Sequence, residues 1–89
     1  MFKKRLIELI QEIPKAEKNY LELKYKKEKR NAELYLQESN NFKTEELRKS
    51  AVRVMMENEG IIEPLIWAGY EYHKLLNEKE ILLKLQNEN

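Results

Sequence analysis

The sequence predicts an all-α protein, and three observations carry that prediction. Apolar residues recur at helical spacing along most of the chain. Lys, Glu, Leu and Ala, all good helix formers, dominate the segment from Lys15 to Glu38. Only two glycines and two prolines are present to interrupt helices in 89 residues. The arrangement expected is an antiparallel helical hairpin: two long helices, a short middle helix in their connection, and a short N-terminal helix. They are placed at about 3–12, 15–38, 45–58 and 64–86, within a single domain over 1–89.

The elements follow in order. In residues 2–13, Phe2, Leu6, Leu9, Ile10 and Ile13 share one side of a helix and Lys3, Lys4, Arg5, Glu8 and Glu12 lie elsewhere. Pro14 removes a helical hydrogen bond and pushes Ile13 away from helical angles. The reading is therefore two pieces, the second starting at Pro14, with a single kinked helix as the alternative. In the next segment Ala16, Tyr20, Leu23 and Leu34 form one stripe, and Leu21, Tyr25, Ala32 and Tyr35 a neighbouring one. Between them residues 24–31 offer only Tyr25 for burial, so this part projects into solvent or lays its long stems on a partner.

Ser39 to Lys43 reads as a loop, with Thr44 as the N-cap of the next helix and Glu45 and Glu46 in its first turn, where the helix dipole favours them. Leu47, Ala51, Val54 and Met55 give that helix its apolar spacing, and Gly60 ends it. Ile61 and Ile62 are too apolar for an exposed turn and are expected against the core. Pro64 reads as the first residue of the closing helix. There Leu65, Tyr72, Leu76 and Leu83 mark a stripe, widened by Ile66, Ala68, Leu75, Ile81, Leu82 and Leu85. Such a helix is roughly 35 Å long and needs a companion of similar length, which Lys15 to Glu38 supplies. A frayed end is expected from Asn87 to Asn89.

A chain this short buries little more than half of the surface its unfolded form exposes, so its core is marginal. With no cysteine, neither disulfides nor thiolate zinc can reinforce it. Self-association is the remaining route, and a homo-oligomer is expected. The net charge of +1 hides an asymmetry. Residues 1–36 hold ten Lys/Arg against six Glu (+4), residues 37–60 four against five (−1), and residues 61–89 three against five (−2). First and last helices are thus complementary in charge when paired antiparallel. No run approaches the roughly 18 apolar residues of a membrane span, and Glu8, Gln11 and Glu12 interrupt any signal-peptide core. A cytoplasmic protein with no membrane contact is expected. The cationic start could serve as a surface anchor, but its two acidic residues favour its capping the bundle or a sister subunit.

Enzyme chemistry finds few residues. The chain has one histidine, no aspartate, no cysteine and no glycine-rich loop, so no nucleophile triad, phosphate cradle or cofactor site can be written, and no small-molecule substrate is implied. His73 beside the apolar stripe reads as a rim residue rather than a metal ligand. A nucleic-acid site is the more substantial candidate: Lys24, Lys26, Lys27, Lys29 and Arg30, with Tyr25 among them, offer cations for phosphates and a ring for bases, as single-strand binding requires. Glu22, Glu28 and Glu33 blunt that charge. Residues 44–76 have the outline of a helix-turn-helix, but Leu65, Ile66 and Trp67 are apolar where a recognition helix needs polar side chains. Trp67, Gly69, Tyr70 and Tyr72 form the candidate protein interface, with Trp67 as an aromatic anchor and Gly69 and Ala68 allowing close helix approach.

Trp67-Ala68-Gly69 resembles the Trp-x-Gly turn of small secreted type VII helical hairpins, although there the motif lies between the helices and here it falls inside one. More of the chain, roughly residues 15–86, resembles small helical proteins of tailed phages and prophages encoded near replication or recombination genes. The resemblance lies in the order Ala32-Glu33-Leu34-Tyr35-Leu36, a loop, Lys43-Thr44-Glu45-Glu46-Leu47-Arg48-Lys49, and a closing helix through Tyr70-Glu71-Tyr72. The Pro64-Leu65-Ile66-Trp67 start departs from it, and no catalytic residue comes with it. It implies a non-enzymatic accessory factor in DNA replication or recombination that contacts single-stranded nucleic acid or its protein machinery. The alternative is a structural, adaptor or inhibitor module that binds a protein and no nucleic acid.

Overall fold

In a computed structural model, which describes residues 2–38 and 40–87, the chain is all-helical. It forms α1 (Lys3–Gln37), α2 (Glu45–Asn58) and α3 (Ile62–Asn87). Ser39, expected at the head of the first loop, and residues 88–89 of the expected frayed end lie outside the described residues. No helix among those described is long and apolar enough to cross a membrane.

The two expected helices at 3–12 and 15–38 are one. α1 continues unbroken through Pro14, which is exposed, so the single-helix alternative holds. The reason is tertiary. Leu9 and Ile13, in the turns before the proline, are buried on Leu75 of α3, and Ala16 just after it packs on the same cluster with Tyr72, Leu76 and Leu82. Anchoring on both sides outweighs the roughly 3 kcal/mol that an interior proline costs. α3 also begins earlier than expected, at Ile62, so Pro64 is its third residue rather than its first. No hydrogen bond is lost, because amides in the first turn have no acceptor within the helix.

α2 is delimited by local chemistry. The Thr44 hydroxyl accepts from the Leu47 amide at 3.2 Å, and Glu45 and Glu46 occupy the first turn. At the other end Gly60 adopts φ +73°. Its amide donates to the Glu57 carbonyl and the Ile61 amide to the Met56 carbonyl, each at 3.1 Å, which is the Schellman pattern. Ile61 and Ile62 then pack on a second cluster of Leu34, Val52 and Met56.

Contacts between helices run in opposite sequence order. Arg5 meets Glu78, Tyr20 meets Gly69, and Arg30 meets Glu59. α1 therefore faces first α3 and then α2 as it is followed from its start. End to end, α2 and α3 span about 60 Å, and the molecule measures 62 × 20 × 16 Å. Its radius of gyration is 18.8 Å, against about 12 Å for a compact domain of this length. One cluster lies near each end of α1, and between them Ala68 and Gly69 are buried.

At Gly69 an added Cβ would lie 3.1 Å from Cε1 of Tyr20. Gly69→Leu is expected to lower stability by about 1–3 kcal/mol through overpacking, despite glycine's poor helix propensity. Urea denaturation measures this, and Tyr20→Ala in the same chain should recover part of the loss. An unchanged midpoint in Gly69→Leu would mean that the helices do not approach closely there.

Candidate interaction surfaces

The six residues expected to contact nucleic acid do not form one surface. Lys24, Tyr25, Lys26 and Lys29 are exposed and point in different directions round α1. Lys26 and Lys29 border a groove with Arg30, Glu33, Glu59 and Ile61. Lys27 faces another groove, with Asn31 of α1 and Lys49, Arg53 and Met56 of α2. Tyr25 stands with Leu21 and Pro14 on a third side. Arg30 is already engaged: its Nε and Nη2 donate to the two carboxylate oxygens of Glu59 at 2.7 and 2.8 Å, and Nη1 donates to Glu33 at 3.1 Å. This differs from the expected free phosphate contact. A bidentate carboxylate is the geometric match that a phosphate would have to displace.

The cations that α2 adds were missed in the sequence. Lys49 and Arg53 lie on one face of α2, four residues apart, and pair with Glu45 and Glu57 at 3.5 and 3.2 Å. Their spacing was visible, but nothing local placed them opposite Lys27. Arg48 of the same helix lies over the Tyr35 ring, 5.1 Å from its centroid.

The expected aromatic interface also divides. Tyr72 belongs to the α1 contact: it stacks on Tyr20 at 5.8 Å and its hydroxyl donates to Glu17 at 3.1 Å. That hydrogen bond, with burial, raises the Tyr72 pKa. Gly69 is buried under Tyr20 and presents nothing outward. Trp67 and Tyr70 do face solvent, 62% and 60% exposed, and meet edge to face at 6.2 Å. Ile66 beside them and Ile81, about three turns beyond Tyr70 on the same side of α3, are exposed at 61% and 57%. α1 has a matching row, Ile7, Ile10, Leu21 and Tyr25, on the side away from its buried residues. Both long helices are thus apolar on two faces.

His73 is exposed and meets the rings of Tyr20 and Tyr72. Among the described residues no three His, Cys, Asp or Glu side chains gather where a metal ion could be held. Compared with known proteins, the chain matches no protein-family model, no curated protein and no solved structure.

Two Arg–Glu bridges join α1 to the rest. Arg5 donates from Nε and Nη2 to both oxygens of Glu78, the second at 2.8 Å, and Arg30 does the same to Glu59. Hydrogen bonds from these arginines hold the Glu78 and Glu59 carboxyls below their usual range. A carboxyl that ionises more readily in the folded state stabilises the fold above its unfolded pKa, and the contribution is lost as pH falls through the folded value. Stability in urea is therefore expected to drop as pH falls below about 4.5. The double variant Glu59→Gln/Glu78→Gln should start lower at neutral pH and show a flatter profile. Parallel profiles for the two proteins would remove the bridges from the stability balance.

Proposed function

We propose that the protein is a non-enzymatic interaction module, an antiparallel helical hairpin that works as a rod with apolar docking faces. One observation carries this reading: α1 and α3 share a contact line and each still exposes a second row of large apolar side chains. A helix that is apolar on opposite faces is ordinarily covered on both. Trp67 and Tyr70 supply the large rigid rings that dominate protein interfaces. The resemblance to phage and prophage accessory proteins makes a replication or recombination protein the partner class to test first.

The test is photo-crosslinking in an extract of the source cells, with benzoylphenylalanine in place of Leu21 or of Trp67 and, as a polar control, in place of Ser50. Discrete adducts are expected at 21 and 67 and not at 50, identified by mass spectrometry as one defined protein for each face. Diffuse labelling at all three sites would sink the reading.

A second reading, contact with single-stranded nucleic acid, is favoured by the meeting of Lys27 with Lys49 and Arg53 across α1 and α2. Anisotropy of labelled single- and double-stranded DNA, titrated at low and near-physiological salt, tests it. On this reading binding shows a salt slope that the triple variant Lys27→Gln/Lys49→Gln/Arg53→Gln lowers by about one unit per lost phosphate contact, while Lys24→Gln changes it little. No binding at low salt removes it.

A further inference from the structure

The outer face of α3 has a period of its own. From Glu63 through Trp67, Tyr70 and Lys74 to Asn77, Ile81 and Lys84, every residue on it is exposed, and the spacings alternate between four and three. That alternation is the spacing of a left-handed coiled-coil seam, with Trp67, Tyr70 and Ile81 as its apolar members. Reversed on a second copy, this face and its neighbour Ile66 place several side chains opposite complementary ones, with Trp67 falling opposite Glu80. About a point between His73 and Lys74, Glu63 falls opposite Lys84, Ile66 opposite Ile81, and Tyr70 opposite Asn77.

The geometry points to a second copy of this chain as the occupant: α3 docks on α3, antiparallel about a two-fold axis near Lys74, with the two α3 helices side by side between the two α1 helices. This names the partner of one face on the reading above and rests on that reading. A two-fold contact repeats each pair, so the Glu63–Lys84 bridge occurs twice. The Trp67–Tyr70 pair of one copy lies towards Ile81 of the other, where α3 has a groove of ≈ 600 Å³ lined by Tyr70, Lys74, Asn77 and Ile81 among others. Lys74, nearest the axis, is the one charge that opposes docking, and its long stem lets the ammonium reach water.

Surface area agrees. The chain exposes 7124 Å², against about 5,500 Å² for a compact 10.8 kDa monomer. The surplus of roughly 1,600 Å² exceeds the approximately 800 Å² per partner that a standard interface removes. The opposite row on α1 stays free in such a dimer for a different protein.

Sedimentation equilibrium across micromolar concentrations tests this with the full chain. The wild type is expected to be a dimer. Glu63→Lys and Lys84→Glu each turn two attractive pairs into repulsive ones, and each is expected to weaken the dimer about tenfold. Mixed in equal amounts, the two variants should regain wild-type affinity as a heterodimer, because every contact between positions 63 and 84 is again of opposite charge. That recovery also shows both variants to be folded. Lys74→Leu should tighten the dimer several-fold. A wild type that stays monomeric into the hundreds of micromolar overturns the proposal, as does a dimer unmoved by the charge exchange. In either case a crosslink from position 67 to another protein would leave α3's outer face a docking surface, and no crosslink at all would remove that reading too.

Discussion

Tyr20 resting on Gly69 is the contact on which the rest of the molecule depends. A glycine at this point lets the α3 backbone come within reach of a ring on α1, and no other residue would leave that space without moving the ring. The contact lies between the two buried clusters, so it fixes how α1 and α3 are aligned along their length. That alignment brings Leu9 and Ile13 to Leu75 in one direction and Leu34 to Val52 and Met56 in the other. It also brings Arg5 within reach of Glu78 and Arg30 within reach of Glu59. The ion pairs lie on the surface, about a third exposed, and are worth little as isolated bonds. As directional, bidentate contacts at opposite ends of α1 they disfavour a slip of one helix turn, which the small apolar clusters alone would resist less.

Two helices meeting along a line cannot enclose a core. Each can bury only the stripe that faces its neighbour, and every other apolar side chain remains in water unless something else covers it. The fully buried side chains are accordingly few, with Leu9 and Val52 the largest. This limit explains both the elongated shape and the outward rows on α1 and α3. A third layer is the ordinary physical remedy for a scaffold of this size.

The parts of this structure that were legible in the sequence are those governed by neighbours in the chain. Thr44 capping Leu47, Gly60 in the left-handed conformation, and the bounds of α2 all follow from side chains within a few residues of one another. Pro14 was misread for the complementary reason. The rule that ends helices at proline is local, whereas the force that carries α1 through it is the burial of Leu9 and Ile13 on a helix sixty residues away in sequence, an order of separation no local pattern reports. α3 posed a different difficulty. Its apolar residues were recognised as one broad stripe, but the breadth was the signal of two faces. Leu75 and Tyr72 turn to α1 and Ile66, Trp67 and Ile81 turn away, so the expected aromatic patch came apart into a packing half and an exposed half. The meeting of Lys27 with Lys49 and Arg53 likewise needed the register of α1 on α2.

That division also sets what kind of surface the molecule presents. Charge on α1 is distributed round the helix, and its best phosphate-binding group, Arg30, is committed to Glu59 and Glu33. A nucleic-acid strand would therefore find cations on several sides and a continuous track on none. The apolar residues behave in the opposite way. Those not used inside the molecule gather in rows, at spacings that another helix can match knob by knob. On α3 that order puts the exposed Trp67–Tyr70 pair, its rings edge to face, on the same side of the helix as Ile81.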